Sequence, residues 1–276
     1  MYNPGAVALP SAPWVAGVSL LVCYTLHAVF ASSAAAYQPL ITDDTGTQSR
    51  DGNQAELAYF RTTDKEAGGS TVTRTLPLVF TRGLTDTLDL YAGASYVQVR
   101  PPATDAAGNG AGNPVAGMKW RFYDDKSAKL SLAVKPEIRF PVSNRAESDG
   151  LGSGRVNAGV SLLLTKATGF GTVHANLAVS TNDFALPDNR DVQRNALWRL
   201  SVAPVWELSD TWEIALDVGL VTNPLKAERA RMGYVELGVI YIVSKDLDFS
   251  LAVIRDVRHA GHNVTSGTAG LTWRFR

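Results

Sequence analysis

From Lys129 to Phe140 the chain reads KLSLAVKPEIRF, with apolar and polar side chains alternating at every second position. Leu130, Leu132, Val134, Pro136, Ile138 and Phe140 share one face; Lys129, Ser131, Ala133, Lys135, Glu137 and Arg139 share the other. A period of two marks a β-strand whose two faces meet different surroundings. The same split recurs over 155–165, 212–220, 246–253 and 268–275, and no helical period is sustained after Ala36. Pro136 has no N–H to give a ladder and predicts a bulge or irregular pairing.

The connections fall into two classes. Short turns are expected at 83–87, 124–127, 166–169, 209–211 and 244–246, and longer polar loops rich in Gly, Asn and Pro at 62–71, 100–113, 141–154, 182–192, 222–230 and 257–263. The classes alternate strictly and imply about twelve strands of roughly ten residues, with both ends of the barrel chain on the short-turn side. An even number of strands with short turns on one side and long loops on the other is the pattern of an outer-membrane β-barrel. The fold expected is therefore all-β: a transmembrane antiparallel up-and-down barrel.

The two faces support the same reading. One is Leu, Val, Ala, Ile and aromatic; the other mixes charges with Gly, Ser and Ala, which suits a crowded lumen. Aromatics gather near strand ends, among them Tyr59, Tyr91, Tyr96, Trp120, Trp206, Trp212, Trp273 and Phe275. An interfacial girdle predicts that distribution.

Residues 1–36 differ from the rest, with no Asp, Glu, Lys or Arg. The apolar run WVAGVSLLVCYTLHAVF is followed by ASSAAA, which reads as a secretory signal peptide cleaved before Tyr37. An uncleaved membrane helix is the other reading, but small residues follow the run where basic anchors would be expected. The expected organisation is a signal peptide over 1–36, a periplasmic segment over 37–52 and a barrel over 53–276, exported to the outer membrane of a Gram-negative cell. Cys23 is the single cysteine, so the mature chain has no disulfide, thiol nucleophile or Cys-ligated metal. The 26 basic and 26 acidic side chains balance, which argues against nucleic acid as a partner. No cofactor or metal is expected.

The phrases PLITDDTGTQ and NQAELAYF near the start of the mature chain, then FTRGLTDTLDLYAGASY and VAGMKWRFYDD, resemble the "MetA-pathway of phenol degradation" family of outer-membrane transporters. The resemblance spans most of the mature chain and is most specific over 39–48. It implies a barrel of about twelve strands, no enzymatic role, and passage of small, in part aromatic, compounds.

With the polar face inward, the lumen would be lined by Lys119, Arg121, Lys135, Glu137, Arg139, Arg155, Asn157, His174, Asn176, Arg199, Glu213, Asp217, Glu236, Asp248 and Arg274. Lys119, Arg121, Lys135, Arg139 and Arg155 would form a basic wall, opposite an acidic wall of Glu213, Asp217, Glu236 and Asp248. Two readings stand side by side: an open pore with a transverse field that orients polar or charged solutes, or an interior filled by ion pairs. The function expected is a channel for small solutes, with outer-membrane lipid and the barrel-assembly machinery as partners. The alternatives are a structural or adhesive barrel, or an outer-membrane lipid hydrolase. His174, Asn176 and Ser180 offer hydrolase residue types, but alternation puts them on the lumen face, away from lipid. His259 and His262, in an expected outer loop, are a weak metal signal.

Thr42, Asp43, Asp44 and Thr45 remain. Paired carboxylates between hydroxyls have the chemistry of a hard-cation site. Their place just before the first strand also fits a segment that tucks into the pore mouth as a gate or plug and meets Lys or Arg there.

Overall fold

A computed structural model describes residues 38–66, 69–101, 108–229, 231–257 and 263–276. The expected signal peptide, Cys23, Tyr37, His259 and His262 lie outside the described residues. The strands are β1 (Asn53–Glu66), β2 (Gly69–Gly83), β3 (Leu88–Arg100), β4 (Gly108–Ala111), β5 (Val115–Asp125), β6 (Leu130–Arg139), β7 (Asn157–Ala167), β8 (Gly171–Thr181), β9 (Ala196–Glu207), β10 (Trp212–Thr222), β11 (Arg231–Ser244), β12 (Leu247–Val257) and β13 (Asn263–Phe275). Every pairing is antiparallel between chain neighbours, and β1 pairs with β13 from Asn53↔Phe275 to Lys65↔Asn263, which closes the ring.

β4 and β5 are two halves of one barrel strand. Tyr96 pairs with Ala111 and Gly93 with Val115, so three steps along β3 match four steps along its partner. The extra residue lies in Gly112–Asn113–Pro114, a β-bulge where proline can withhold its missing N–H from the ladder. With β4 and β5 joined, the thirteen assigned strands make a closed barrel of twelve.

The polarity is inverted relative to a water-soluble protein. Leu237 and Leu251 are 61% and 59% exposed on the outer wall, whereas Asp217 and Glu236 are 0% exposed inside. Only a lipid exterior makes that arrangement stable over a whole barrel. The short-turn rim carries a belt of outward aromatics: Trp120 with Phe122, Phe170 with Trp206, Trp212 with Tyr241, and Phe80 and Trp273 with Phe275.

The five short turns share one device. The Oγ of Thr85, Thr168, Ser209 and Ser244, and a carboxylate oxygen of Asp125, each accept a hydrogen bond from the backbone N–H two residues on, at 2.8–3.3 Å. Such local acceptors satisfy a backbone donor that the reversal would otherwise strand.

Four expectations are corrected. Residues 62–71 are mostly strand: β1 and β2 stay paired from Arg61↔Arg74 to Glu66↔Gly69. Their polarity suggested a loop, but Thr62, Thr63, Thr71, Val72 and Thr73 are β-branched and favour the extended chain. Pro136 makes no bulge and keeps register with Val160, but the β5–β6 ladder skips it, passing from Gly117↔Glu137 to Trp120↔Val134, and the register shift falls at Arg121–Tyr123. Tyr91 is not in the girdle but 4% exposed inside, where a Cβ on Gly117 would sit 2.4 Å from its hydroxyl; glycine makes the room. Arg155 is exposed and precedes β7, so it belongs to an outer loop and not to the lumen wall.

The outer loops carry two short helices, α1 (Asn144–Ser148) and α2 (Pro187–Val192). Glu147 of α1 is 2% exposed and accepts from the backbone of Gly154, Ala185 and Leu186 and from Asn189 Nδ2. One carboxylate thereby ties the β6–β7 loop to the β8–β9 loop.

Candidate functional site

Residues 38–48 lie inside the barrel and run round its inner wall. At the entry, the backbone N–H of Gln48 donates to both carboxylate oxygens of Asp89 on β3, at 2.9 and 3.1 Å. The Thr45 N–H donates to Thr165 Oγ1 of β7 at 3.0 Å, and its hydroxyl meets Ser131 Oγ of β6 at 2.5 Å. Further in, Thr42 donates from its N–H to Asp217 Oδ2 at 2.6 Å, and its hydroxyl lies 2.8 Å from Asp217 Oδ1 and 2.7 Å from Ser201 Oγ. The Ile41 N–H donates to Glu236 Oε2 at 3.1 Å. Leu40 packs on Ala203, Val205 and Ala215, and Ile41 on Val221, Met232, Tyr234 and Ile254.

Asp43 is the centre. Lys119 Nζ lies 2.9 Å from its Oδ1 and Lys135 Nζ 2.8 Å from its Oδ2. Asp44 adds a second carboxylate 3.5 Å from Lys119, so two anions meet two cations. The Asn176 side chain closes the backbone of Asp43 from both sides: its Oδ1 accepts from the N–H at 2.6 Å and its Nδ2 donates to the C=O at 2.8 Å. Burial pushes the Asp43 carboxyl up, but the ammonium groups of Lys119 and Lys135 outweigh it and hold the pKa below the ordinary 3.8.

The chain is complementary to the two walls. Its acid faces the basic residues of β5 and β6, while its backbone donors and a hydroxyl face the acids of β10 and β11. Glycines leave it space: a Cβ on Gly83 would lie 2.3 Å from the Ser49 carbonyl, and one on Gly238 would lie 2.8 Å from Pro39. On the turn side of the segment is a chamber of about 490 Å³, lined by Asp44, Glu56, Lys119, Glu213, Asp248 and Arg274, among others. On the loop side is a pocket of about 40 Å³ against Asp43, Lys135, Glu137, Asn176 and Arg199, room for only a few waters.

The other residues read from the sequence take separate places. Asp248 and Arg274 pair with each other at 2.6 Å. Glu137 accepts from the Tyr91 hydroxyl at 3.0 Å and stands 4.0 Å from Arg139. His174 is buried, with its ring nitrogens 2.9 and 3.1 Å from the hydroxyls of Thr165 and Thr172. Asn157 is buried at the outer rim and donates to the carbonyls of Arg155 and Asp183. Arg121 sits at the turn rim, donating to the Asp86 carbonyl at 3.0 Å. Ser131, Thr165, Ser201 and Tyr234, whose hydroxyl lies 2.9 Å from Asp217, complete the inner wall. Sequence reading passed them over as chemistry because hydroxyls are frequent on any polar face; only their parity with the charged positions marked them.

Three solved structures share the fold at low identity. The COG4313 outer membrane channel from Pseudomonas putida F1 is 14% identical, with a TM-score of 0.69 over 84% of this chain and 98% of its own. The NanC porin is 11% identical, with a TM-score of 0.53 over 79% and 98%. The translocator domain of the autotransporter NalP from Neisseria meningitidis is 12% identical, with a TM-score of 0.53 over 94% and 100%. One architecture thus serves channels and a translocator domain, so fold alone does not assign the function. Comparison with curated proteins finds no match. The family description "Putative MetA-pathway of phenol degradation" matches residues 32–275, and the chain belongs to that family.

Proposed function

We propose that this protein is an outer-membrane channel for small solutes whose lumen is closed by its own N-terminal segment, residues 38–48. The observation that carries the reading is Asp43, 2% exposed in the barrel interior and clasped by Lys119 and Lys135. A buried carboxylate between two ammonium groups fixes one position of the chain, since an unpaired charge at that depth is costly. The lumen surface is polar and charged, while the apolar side chains face outward. Small polar or charged solutes fit such an interior, and aromatic compounds enter by whatever polar groups they carry. The signal peptide over 1–36 and the assembly of the barrel by dedicated machinery belong to the same reading.

A hydrolase is disfavoured by the occupation of its candidate groups: Asn176 holds the Asp43 backbone, and His174 meets threonines. Ion current in planar bilayers tests the channel. Discrete ohmic steps are expected once 39–48 is deleted, and replacing Lys135 and Arg139 by Gln in that background shifts selectivity toward cations. No ohmic current from the deletion variant would sink the reading.

A further inference from the structure

The outward residues of β12, β13, β1, β2 and β3 change character at one level of the wall. Leu251, Ala269, Tyr59, Leu76 and Tyr96 form a cross-strand row, anchored by the pairings Leu251↔Ala269, Tyr59↔Ala269 and Leu76↔Tyr96. The next outward row toward the loops is Val253, Gly267, Arg61, Arg74 and Gln98, and the one beyond it holds Arg255, Thr265, Thr63, Val72 and Arg100. Lys65 stands above Thr63 on β1. Arg61, Lys65, Arg100 and Arg255 are exposed. Among the described residues no carboxylate faces outward in this area: Asp64 is 1% exposed, and Asp256 has the inward parity of Ala252 and Ile254.

Arg61 and Arg74 are direct partners in the β1–β2 register. Like charges opposite one another in a sheet repel, and an anion held between them removes the repulsion. The guanidiniums are also oriented: Arg74 Nη1 donates to Gln98 Oε1 at 2.7 Å, and Arg255 Nη1 to Thr265 Oγ1 at 3.2 Å. A Cβ on Gly267, beside Arg61, would meet nothing within 4 Å, so the approach is open. On β2 the apolar outward run Leu76, Leu78 and Phe80 ends at Arg74 on one side and Arg82 on the other, which sets Arg74 at the edge of the hydrocarbon band.

We propose that this patch binds the phosphorylated headgroup of an outer-leaflet lipid. Arg61, Arg74 and Arg255 hold the phosphate, and the Tyr59–Leu76–Tyr96 row below receives its acyl chains. The proposal rests on the membrane orientation given above, but not on the closing segment: its failure leaves bilayer currents unchanged, and a failure of the channel reading leaves lipid binding unchanged.

The test is native mass spectrometry of the full chain in detergent with added lipid A. Retention of diphosphorylated lipid A is expected, with much weaker retention of the dephosphorylated form. Arg61→Gln and Arg74→Gln each weaken binding by about tenfold, while Lys126→Gln at the opposite rim does not. Heat-modifiable migration on a gel confirms that each variant is folded. Equal binding of the phosphorylated and dephosphorylated lipid, or unchanged binding by the two arginine variants, overturns the proposal. So does displacement of the lipid by an equal concentration of orthophosphate, which would assign the patch to free phosphate.

Discussion

Asp43 and Lys135 lie 92 positions apart in sequence and 2.8 Å apart inside the barrel. Lys119 closes on the same carboxylate from the neighbouring strand, so replacing Asp43 removes the charge that two buried ammonium groups share, while Asp44 stays 3.5 Å from Lys119. Asp43→Asn is expected to weaken seating of the segment by about 3–5 kcal/mol, the range for breaking a buried pair by removing one partner. The barrel, held by its closed ladder, should still run as a compact, heat-modifiable band. Trypsin sensitivity of the N-terminal segment before and after the substitution measures the loss.

Asn176 acts on backbone and not on charge. Its amide makes both hydrogen bonds that a neighbouring strand would make to Asp43. Asn176→Ala loses the pair at about 1–3 kcal/mol, while Asn176→Asp keeps an acceptor but sets an anion beside Asp43. Both should raise the open probability in single-channel recordings, the Asp variant more. Equal, wild-type closure in both would remove Asn176 from the account of seating.

Gly83 is a steric prediction. A side chain there meets the carbonyls of Ser49 and Gln48 at 2.3 and 2.6 Å, and both are backbone atoms without a rotamer to turn away. Gly83→Val should lift the entry of the segment. Thr42, 0% exposed, reports on it: maleimide labelling of Thr42→Cys is expected to rise by about tenfold in the Gly83→Val background, equivalent to about 1.4 kcal/mol.

Acid should open the channel only late. The Asp43 carboxyl titrates below the ordinary 3.8 when seated. A depressed carboxylate gives its stabilisation in full above the unseated pKa and loses it as pH falls through the seated one. Conductance should therefore be flat with respect to this group from about pH 8 to about pH 5 and rise only below about pH 4. An increase centred near neutrality would point to a different latch.

Much of the barrel was legible because alternation is a local property. Each of β6, β7, β10, β12 and β13 shows its two faces within ten or so residues, and the turn acceptors Thr85, Asp125, Thr168, Ser209 and Ser244 sit in short polar breaks. Three features were not. The β1–β2 hairpin is built from polar β-branched residues, which composition assigns to a loop. Tyr91 has the ordinary look of a girdle aromatic, and only the glycine opposite, Gly117, lets it turn inward. The union of Asp43 with Lys119, Lys135 and Asn176 spans β5, β6 and β8, and no spacing in the chain encodes which lumen residues a threaded segment will meet. What the sequence did carry was the oddity of TDDT itself, two acids and two hydroxyls ahead of the first strand.

The most direct test of closure by the N-terminal segment is single-channel conductance of the full chain beside a variant lacking residues 39–48. The expected result is a closed or rarely open full-length protein and a deletion variant with long-lived, ohmic openings. Identical conductance and open probability in the two would contradict it.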